Sequence, residues 1–582
     1  MGIAPAPTSP ARHHVTPTRG AITVPAFRQM LCVLFVLASV LALALAQDAP
    51  AACAGTPIES VGLLHSWHGV VEVSDAENQR SPVRCLKIVL ARGEFVRAVA
   101  AVEAEPSSSG ARLLLLQPGR TLPTLQLALS NTERVPVTWR AEASGSHYIV
   151  IRDAWTFARG VTALPIRMWI EQVEPRPVAD ARMAALSVDP RVAWLRQNVA
   201  RVRSIDPRDT DFSDLAPLRN ALQDVRIVLL GEADHASGSD FRAKSRLVMF
   251  LHRELGFDVL AFEAGLYDMG VAWDRLRAGA APRQAFAEGA WGFWANSEQM
   301  QPLIEYVAEH AHSSRPLELA GFDHQFSGQS PERFAADLAD FLGERGLAGP
   351  LGLPAAPNMR ILESLSPNRF WRLRELPDST RSAFLRDLNR TVTLVAALND
   401  RTARYWTQVL RSTACLTRSL APAAGGSASP SCSREQQMTE NLIWLASQRY
   451  PQRKIIIWSA TAHAARMPQL PAAAGGDGPS LGLRLYELFG SKSYAIGVTS
   501  YRNAQGHIVS DQHPLPEFEE LMAAAGFDYG FIDLRGARSG RSWIAGEFLA
   551  RPNFHNTTPA VWSELLDALL FVREHQLRSR AR

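Results

Sequence analysis

A short apolar run that ends in acidic or histidine residues recurs in the second half of the chain, and it constrains the fold more than any other feature. The first run is "IVLLGEADH" at 227–235, and the second is "GFDVLAFEA" at 256–264. Between them, "SDFRAKSRLVMFLHREL" has the apolar spacing of a helix. A strand, a helix and a second strand in this order favour parallel strands, because the crossover helix returns the chain to the same end of the sheet.

The scheme continues towards the C-terminus. "PLELAGFDHQ" and "QRKIIIWSATAH" are further apolar runs with polar ends, and "YAIGVTSY" and "YGFIDLRG" predict two late strands. Residues 330–450 lack strand-like runs and predict mostly helices. We therefore expect residues 191–582 to form an α/β domain with a largely parallel sheet and a helical insertion at about 330–450.

The segment before this domain has a different sequence pattern. Runs such as "LKIVLARGEFVRAVAAVEA" and "HYIVIRD" are apolar or β-branched, and "SSSG", "QPGR" and "ASGS" break them with turn residues. This pattern predicts an all-β sandwich at 47–176 with a binding or spacer role, followed by a linker at 177–190. It resembles loosely the β-sandwich domains that bacteria attach to exported hydrolases.

The N-terminus predicts a secretory signal over residues 1–46. Its first 28 residues contain arginines and no acid, and the apolar run "MLCVLFVLASVLALALA" then leads to an A-x-A exit. We expect cleavage after Ala46 and export of the mature protein, to the periplasm or outside the cell. An uncleaved N-terminal membrane anchor is the alternative.

The cysteine count fits an oxidising compartment. Removal of Cys32 with the signal leaves Cys53, Cys85, Cys415 and Cys432. Proximity in sequence predicts the disulfides Cys53–Cys85 and Cys415–Cys432. Because the sequence contains no C-x-x-C pair, a cysteine-based zinc site is not expected.

The charge composition argues against a nucleic-acid partner. The formal net charge is only +4 over 582 residues, and acidic and basic residues are interspersed along the chain. We therefore expect an ordinary mixed surface and no nucleic-acid partner; the small-molecule partner is expected from the site described below.

The polar ends of the apolar runs predict a site at one edge of the sheet. In a parallel sheet the carboxyl ends of the strands lie together, and ligands bind there. The candidate residues at these ends are Glu232, Asp234, His235, Glu263, Asp323, His324 and His463.

A histidine beside carboxylates can act as a general base on water, because the carboxylates fix its tautomer and raise its pKa. His235 is our candidate base. Glu263 is the favoured orienting carboxylate, since it ends a fully apolar run and needs a partner. Lys244, on the helix between the first two strands, would neutralise a carboxylate or bind a substrate anion.

Other catalytic signatures are missing from the sequence. It has no G-x-S-x-G elbow, which argues against a serine α/β-hydrolase. It has no H-E-x-x-H helix and no P-loop. No cofactor is required by these patterns, although a divalent metal stays open because several histidines and acids are expected near one edge.

An ordered series of motifs resembles the erythromycin esterase-like family over about residues 190–535. "LGEADH" followed by "GFDVLAFEA" is similar to the family's strand, G-E-x-x-H, helix and glutamate-ending strand. "WANSEQMQPLIEYV", "GFDHQ", "REQQMTENLIWL" and "LGLRLYELFGSKSYAIGVT" resemble its later motifs in the same order.

The resemblance implies roles for individual residues. His235 would be the base, Glu232 and Glu263 would orient it or the water, and Lys244 stands where many members have arginine. Arg434 matches the family's arginine and would stabilise an oxyanion. By position in the motifs, Asp323 and Asn441 would join Lys244 in binding substrate, and His463 would complete the catalytic set.

One motif departs from the family pattern. The family's fourth strand runs into W-A-H-N-x-H, whereas here it reads "WSATAH", so Ala460 and Thr461 replace a histidine and an asparagine and His463 is retained. The leading expectation is an exported hydrolase of carboxylic esters or lactones that uses histidine-activated water. The alternative is an altered family member that binds a polar ligand or metal at the same site.

Overall fold

The computed structural model describes residues 50–53, 56–61, 65–72, 83–102, 110–118, 125–130, 135–155, 163–173, 177–328, 331–348, 356–365, 375–420, 432–471, 478–503, 515–538 and 542–579, with residues 353, 373, 474, 540 and 581. The elements below lie in the compact unit Thr56–Arg582. The predicted signal at 1–46 lies outside the described residues.

The N-terminal part of this unit is built from strands. They are β1 Ile58–Ser60, β2 His65–Glu72, β3 Val83–Leu90, β4 Phe95–Val102, β5 Gly110–Leu116, β6 Leu125–Ser130, β7 Val135–Arg140, β8 Gly145–Trp155 and β9 Ala163–Val173. They form a five-stranded sheet in the order β1-β3-β8-β5-β6 and a four-stranded sheet in the order β2-β9-β4-β7. Alternating residues of both sheets, such as Leu86, Ile149, Ala98 and Ile166, share one buried core.

The predicted linker at 177–190 is helical in the structure. Helix α1 spans Pro177–Ser187, and its sequence "PVADARMAALS" combines a proline at the first position with helix-favouring alanines. Arg182 on this helix forms an ion pair of 2.7 Å with Glu520. The segment is therefore a packed element of the α/β part rather than a bare connection.

The α/β part contains a mixed eight-stranded sheet in the order β10-β16-β19-β15-β11-β14-β12-β13. Its strands are β10 Ala200–Arg201, β11 Ile227–Glu232, β12 Phe257–Gly265, β13 Glu318–Asp323, β14 Lys454–Ala460, β15 Ser493–Asn503, β16 Tyr529–Asp533 and β19 Ala568–His575. The pairs from β19 to β13 are parallel, and β16 pairs antiparallel with β19 and β10. A small hairpin pairs β17 Phe548–Ala550 with β18 Thr558–Ala560.

Helices cover both faces of this sheet. After α1 they are α2 Pro190–Asn198, α3 Ala216–Leu222, α4 Gly238–Leu255, α5 Leu266–Arg277, α6 Pro282–Gly289, α7 Gly292–Ala295, α8 Gln301–His310, α9 Pro331–Glu344, α10 Ala356–Glu363, α11 Asp378–Leu398, α12 Arg401–Ser419, α13 Arg434–Trp444, α14 Thr461–Ala464, α15 Leu481–Phe489, α16 Phe518–Ala524, α17 Leu534–Ala537 and α18 Trp562–Leu565. Between 331 and 448 the described residues contain helices and no strand.

The sheet is buried on both faces, as the continuous apolar runs predict. Along β11, Ile227 and Leu229 belong to one core cluster, while Val228 and Leu230 belong to the other. This double burial leaves only the ends of the strands for polar side chains. The expected α/β architecture is confirmed at this level, as a mixed sheet flanked by helices.

Cys415 and Cys432 form the predicted disulfide, with their Cα atoms 5.5 Å apart. Cys53 and Cys85 are disulfide-bonded as well. Among the described residues, no helix is long and apolar enough to cross a membrane.

Candidate active site

Four neighbouring strands of the sheet deliver the candidate residues to one edge. β14 lies between β11 and β12, and β13 follows β12. Because these strands are parallel, their carboxyl ends meet, and Glu232 on β11 stands opposite Ala460 on β14 in the register. The convergence predicted from the four apolar runs is therefore present, and it places two clusters of charged side chains side by side.

The first cluster is centred on His235. Its Nδ1 lies 2.7 Å from Oε1 of Glu232, which also accepts a hydrogen bond of 3.2 Å from the Trp294 indole. The second carboxylate oxygen of Glu232 accepts a hydrogen bond of 2.7 Å from Nζ of Lys244. Because Glu232 is fully buried and fixed by three side chains, it holds the imidazole with Nδ1 pointing inward.

The opposite side of the imidazole is open. The side chain of His235 is 38% exposed, and within the described part of the chain Nε2 takes part in no hydrogen bond. Burial opposes protonation, but the hydrogen bond and charge of Glu232 outweigh it and raise the pKa of His235 above the usual value. An oriented and exposed nitrogen with a raised pKa is what a general base requires.

Lys244 serves the first of its two predicted roles. It is fully buried, and it donates to Glu232 and, at 3.0 Å, to the Ser459 carbonyl oxygen. Its ammonium group also lies 4.2 Å from the centre of the Trp458 ring. Burial lowers the pKa of Lys244 against the pull of Glu232. The lysine therefore neutralises a carboxylate inside the protein, where a substrate anion would not reach it.

The second cluster joins Glu263, Asp323 and Arg434. Arg434 donates through Nε and Nη2 to Asp323, at 3.1 and 2.6 Å, and through Nη2 to Glu263 at 2.8 Å. Its side chain remains 28% exposed. Within the described residues, Nη1 of Arg434 donates no hydrogen bond, so one edge of the guanidinium is available to a ligand.

His463 completes this second cluster as a cation. Nδ1 lies 2.6 Å from Oε2 of Glu435, and Nε2 lies 3.3 Å from Oε1 of Glu263. Burial opposes its protonation, but the charges of Glu435 and Glu263 outweigh burial and raise the pKa of His463 to about 10. Both ring nitrogens are occupied, so His463 is an electrostatic anchor and has no nitrogen left to abstract a proton.

The preference for Glu263 as the orienting carboxylate is wrong in this structure, because Glu232 bonds His235. Glu263 instead accepts from Arg434, His463 and the Ala460 backbone amide, the last at 3.0 Å. Burial opposes its ionisation, but the charges of His463 and Arg434 hold the pKa of Glu263 well below the usual value. Glu263 is therefore the counter-ion of Arg434 and His463, and its bond to the Ala460 amide links β12 to β14.

Asn441 is brought to the cluster only indirectly. It is fully buried on α13, donates at 2.8 Å to the Phe322 carbonyl and at 3.0 Å to Ser412, and accepts from Gln408 and Gln437. All of its amide capacity is used inside the protein. The structure therefore leaves Asn441 no group for substrate, and its position fixes α13 against the end of β13.

The two polar residues at the end of β13, Asp323 and His324, lie in different environments. Asp323 is buried against Arg434, while His324 lines a small cavity together with Asp268 and Ser412. Burial lowers the pKa of His324 to about 4, so it is uncharged at neutral pH. His324 does not contact His235 and has no evident part in the same chemistry.

The loop that carries His235 has a second support. Asp234 accepts a hydrogen bond from the Ala236 amide, and its Oδ2 lies 4.0 Å from Nε2 of His555. The amide of Phe554 donates to the Ala233 carbonyl at 2.9 Å. Asp234 therefore shapes the turn rather than orienting the imidazole of His235.

Ala460 occupies the position at which the motif has its first histidine. It ends β14 at 4% exposure, and its amide binds Glu263. Thr461 packs against Gly231, where a Cβ would approach the threonine Oγ1 to 2.6 Å. The glycine of the G-E-x-x-H motif is thus required by close packing of β11 on the residue after β14.

Sequence reasoning missed two contributors to the site. Trp294 donates to Glu232, and Glu435 holds His463. Both lie inside stretches that were compared with the family, "WANSEQ" and "REQQM", and Glu435 directly follows Arg434. Among the described residues, no group of three or more histidine, cysteine or acidic side chains is arranged to hold a metal ion.

Several known proteins are similar to this chain. It is 23% identical over 428 residues, 65% of this chain and 91% of the relative, to a Bacillus subtilis (strain 168) protein described as "Putative hydrolase YbfO". A crystal structure of a Bacillus cereus protein superposes with a TM-score of 0.58 at 17% identity, covering 69% of this chain and 99% of that one. An erythromycin esterase, a mutant of EreC in its open conformation, gives a TM-score of 0.49 at 15% identity, covering 65% of this chain and 97% of that one.

The profile described as "Erythromycin esterase" matches residues 252–575, which include β12, β13, β14 and the whole second cluster. This match covers more than half of the chain, and the chain therefore belongs to the erythromycin esterase family.

Proposed function

We propose that the protein is a hydrolase that cleaves carboxylic esters or lactones with water activated by His235. The observation that carries the proposal is the 2.7 Å contact between Nδ1 of His235 and buried Glu232, which leaves Nε2 directed away from the carboxylate on an exposed side chain. Membership of the family and the hydrolase description of the Bacillus subtilis relative support the same reaction class.

In the proposed reaction, Nε2 of His235 removes a proton from water as the water oxygen attacks the ester carbonyl carbon. The negative charge that develops on the carbonyl oxygen is stabilised by the free Nη1 edge of Arg434. The tetrahedral adduct then breaks its bond to the alcohol oxygen, and the imidazolium returns the proton to that oxygen. The products are a carboxylic acid and an alcohol.

Replacement of His235 by alanine tests this role. We expect the turnover of simple esters and macrolactones to fall by about 100-fold or more while the protein stays folded. His312, exposed in the turn after helix α8, offers a matched histidine-to-alanine control that should retain activity. Equal turnover in His235→Ala and the unchanged protein would reject the assignment.

Export is part of the same proposal. The predicted signal at 1–46 and the cysteine disulfides support it. Sequencing the N-terminus of protein recovered from periplasm and medium tests it, with Gln47 expected as the first residue. Recovery of only the uncleaved chain in the membrane fraction would favour the N-terminal anchor instead.

The alternative is a binding protein with an altered site, and one observation favours it. Ala460 stands where the family motif has a histidine, beside Glu232 in the register. Metal analysis of the purified protein, combined with ester hydrolysis in the presence of chelator, separates the two. Stoichiometric metal without hydrolysis supports binding, whereas chelator-insensitive hydrolysis supports the metal-independent reaction.

A further inference from the structure

The imidazole of His235 is the first of three nearly parallel aromatic rings, and the proposed reaction does not use the other two. The ring of Phe293 stacks on the imidazole of His235, with centroids 4.7 Å apart and planes at 15°. Trp291 is the third ring, 6.1 Å from Phe293 with planes at 8°. We call Trp291 and Phe293 the aromatic platform.

The platform is distinct from the core residue next to it. Trp294 is fully buried and donates to Glu232, so packing and hydrogen bonding account for it. Trp291 and Phe293 are only partly buried, and the residue between them, Gly292, is exposed. Both rings pack against the core and keep part of their surface exposed, and a ligand that covers this exposed surface would gain free energy from its burial.

The position of the platform is fixed by the active-site strands themselves. The indole nitrogen of Trp291 donates at 3.0 Å to the carbonyl oxygen of Glu263. Phe293 also packs edge-on against Trp294, at 4.8 Å and 68°. The rings are therefore held in place before any ligand arrives, which lowers the entropic cost of stacking a ligand on them.

The charges around His235 restrict what the ligand can be. Three cations stand against four carboxylates, so the network carries one net negative charge while His235 is neutral. The pairs in the described residues are Lys244 with Glu232, Arg434 with Asp323 and Glu263, and His463 with Glu263 and Glu435. Each cation of this network is already ion-paired, although Nη1 of Arg434 can still donate a hydrogen bond, so the network does not balance the charge of an anionic substrate and its approach is disfavoured.

We propose that the aromatic platform binds a planar ring of an uncharged ester and makes Trp291 and Phe293 specificity-determining residues. This inference rests on the proposed ester hydrolysis for its substrate class. The ring of the substrate makes an offset stacking contact with the aromatic platform. The ester carbonyl then lies between Nε2 of His235 and Arg434. Offset stacking of this kind favours a ring-bearing substrate by roughly three- to tenfold over a matched one without a ring.

The test compares kcat/KM for three esters: benzyl butyrate, ethyl butyrate and anionic 4-carboxybenzyl butyrate. We expect benzyl butyrate to be preferred over both of the others. Trp291→Leu should abolish the preference for benzyl over ethyl. Trp273→Leu, a change in another partly buried tryptophan on α5, should keep it. An equal benzyl-to-ethyl ratio in Trp291→Leu and the unchanged protein overturns the proposal, as does equal or better turnover of the anionic ester.

Binding of N-benzylbutanamide, an amide that is not expected to be hydrolysed, separates this inference from the proposed function. Saturation-transfer NMR should detect contact with its ring, and the signal should weaken in Trp291→Leu but not in Trp273→Leu. If no ester is hydrolysed but the amide still shows this pattern of ring contact, the proposed ester hydrolysis is rejected and ring binding by the aromatic platform is supported. If esters are hydrolysed but ring contact is absent, or is unchanged in Trp291→Leu, ring binding by the aromatic platform is rejected and the proposed ester hydrolysis is retained.

Discussion

Nε2 of His463 lies 3.3 Å from Oε1 of Glu263, while Nδ1 of the same ring lies 2.6 Å from Glu435. A histidine that sequence reasoning placed in the catalytic set is therefore enclosed between two carboxylates as a cation. The proposed base and the charged histidine of this site are different residues, and their side chains differ in accessibility: His235 is 38% exposed and His463 only 4%.

His463→Gln should destabilise the fold in a pH-dependent way. The raised pKa of His463, about 10 against 6.5 unfolded, means that its protonated form contributes full stability below about pH 6.5 and loses that contribution as pH rises towards 10. We expect a loss of about 3 kcal/mol at pH 6 that shrinks by pH 10, measured by urea unfolding. His252→Gln is the control: the pKa of His252 is lowered to about 4, so above about pH 7.5 this histidine is neutral in both the folded and the unfolded protein and its contribution to stability is constant there, whereas that of His463 still changes up to pH 10. A pH-independent loss in His463→Gln would contradict the cationic assignment.

Glu232→Gln should slow hydrolysis and shift its pH dependence. The base must be neutral to act, so the acid limb of kcat/KM should lie above pH 6.5 in the unchanged protein, since the pKa of His235 is raised. Without the Glu232 charge, burial lowers that pKa, so the limb should move to lower pH and kcat should fall about 100-fold.

Two further variants separate this effect from damage to the fold. Glu232→Gln leaves Lys244 without its counter-ion, whereas the double variant Glu232→Gln with Lys244→Met removes both charges and should recover stability but not activity. Glu254→Gln breaks a surface pair with Arg219 and should leave the pH profile in place. An unshifted acid limb in Glu232→Gln would show that this carboxylate does not tune the base.

Arg434→Lys tests the proposed stabilisation of the oxyanion. Lysine keeps the charge but loses the fork that engages Asp323 while leaving Nη1 free. We expect kcat to fall by about 100- to 1000-fold with little change in KM. Arg453→Lys is the matched control, because that arginine pairs with Glu318 at the other end of β13. Loss confined to KM would assign Arg434 to ground-state binding instead.

Ala460→His restores the family residue beside Glu232. If the missing imidazole limits the rate, this variant should raise kcat on macrolactone substrates, by as much as the 100-fold that one oriented donor supplies. Ala462→His, two residues further on and equally buried, controls for the insertion of a bulky ring. Lower or unchanged turnover in Ala460→His, in a folded protein, would show that the site works without a histidine there.

The edge at which the site lies could be predicted from the sequence. Apolar runs such as 227–230 and 455–458 predict doubly buried strands, and parallel strands bring their polar ends together. The antiparallel part of the sheet was harder to predict from the sequence. β16 reads like the other strands, and its antiparallel pairing with β19 depends on a contact that no local pattern encodes.

The roles of individual side chains were harder to predict because their partners come from distant segments. Asn441 appeared free to bind substrate, yet Phe322 and Gln408 use its amide. Glu263 and Glu232 both end apolar runs, and only the three-dimensional register decides that Glu232 reaches His235. The segment 177–190 was predicted as a linker, but its residues 177–187 form a packed helix.

The Cys415–Cys432 disulfide closes a loop that ends two residues before Arg434. Arg434, which we propose stabilises the oxyanion, and Glu435, which anchors His463, are the first two residues of the helix that follows this crosslink. Oxidation of one cysteine pair therefore restrains the segment that delivers Arg434 and Glu435 to the sheet edge, and an oxidising compartment favours this restraint.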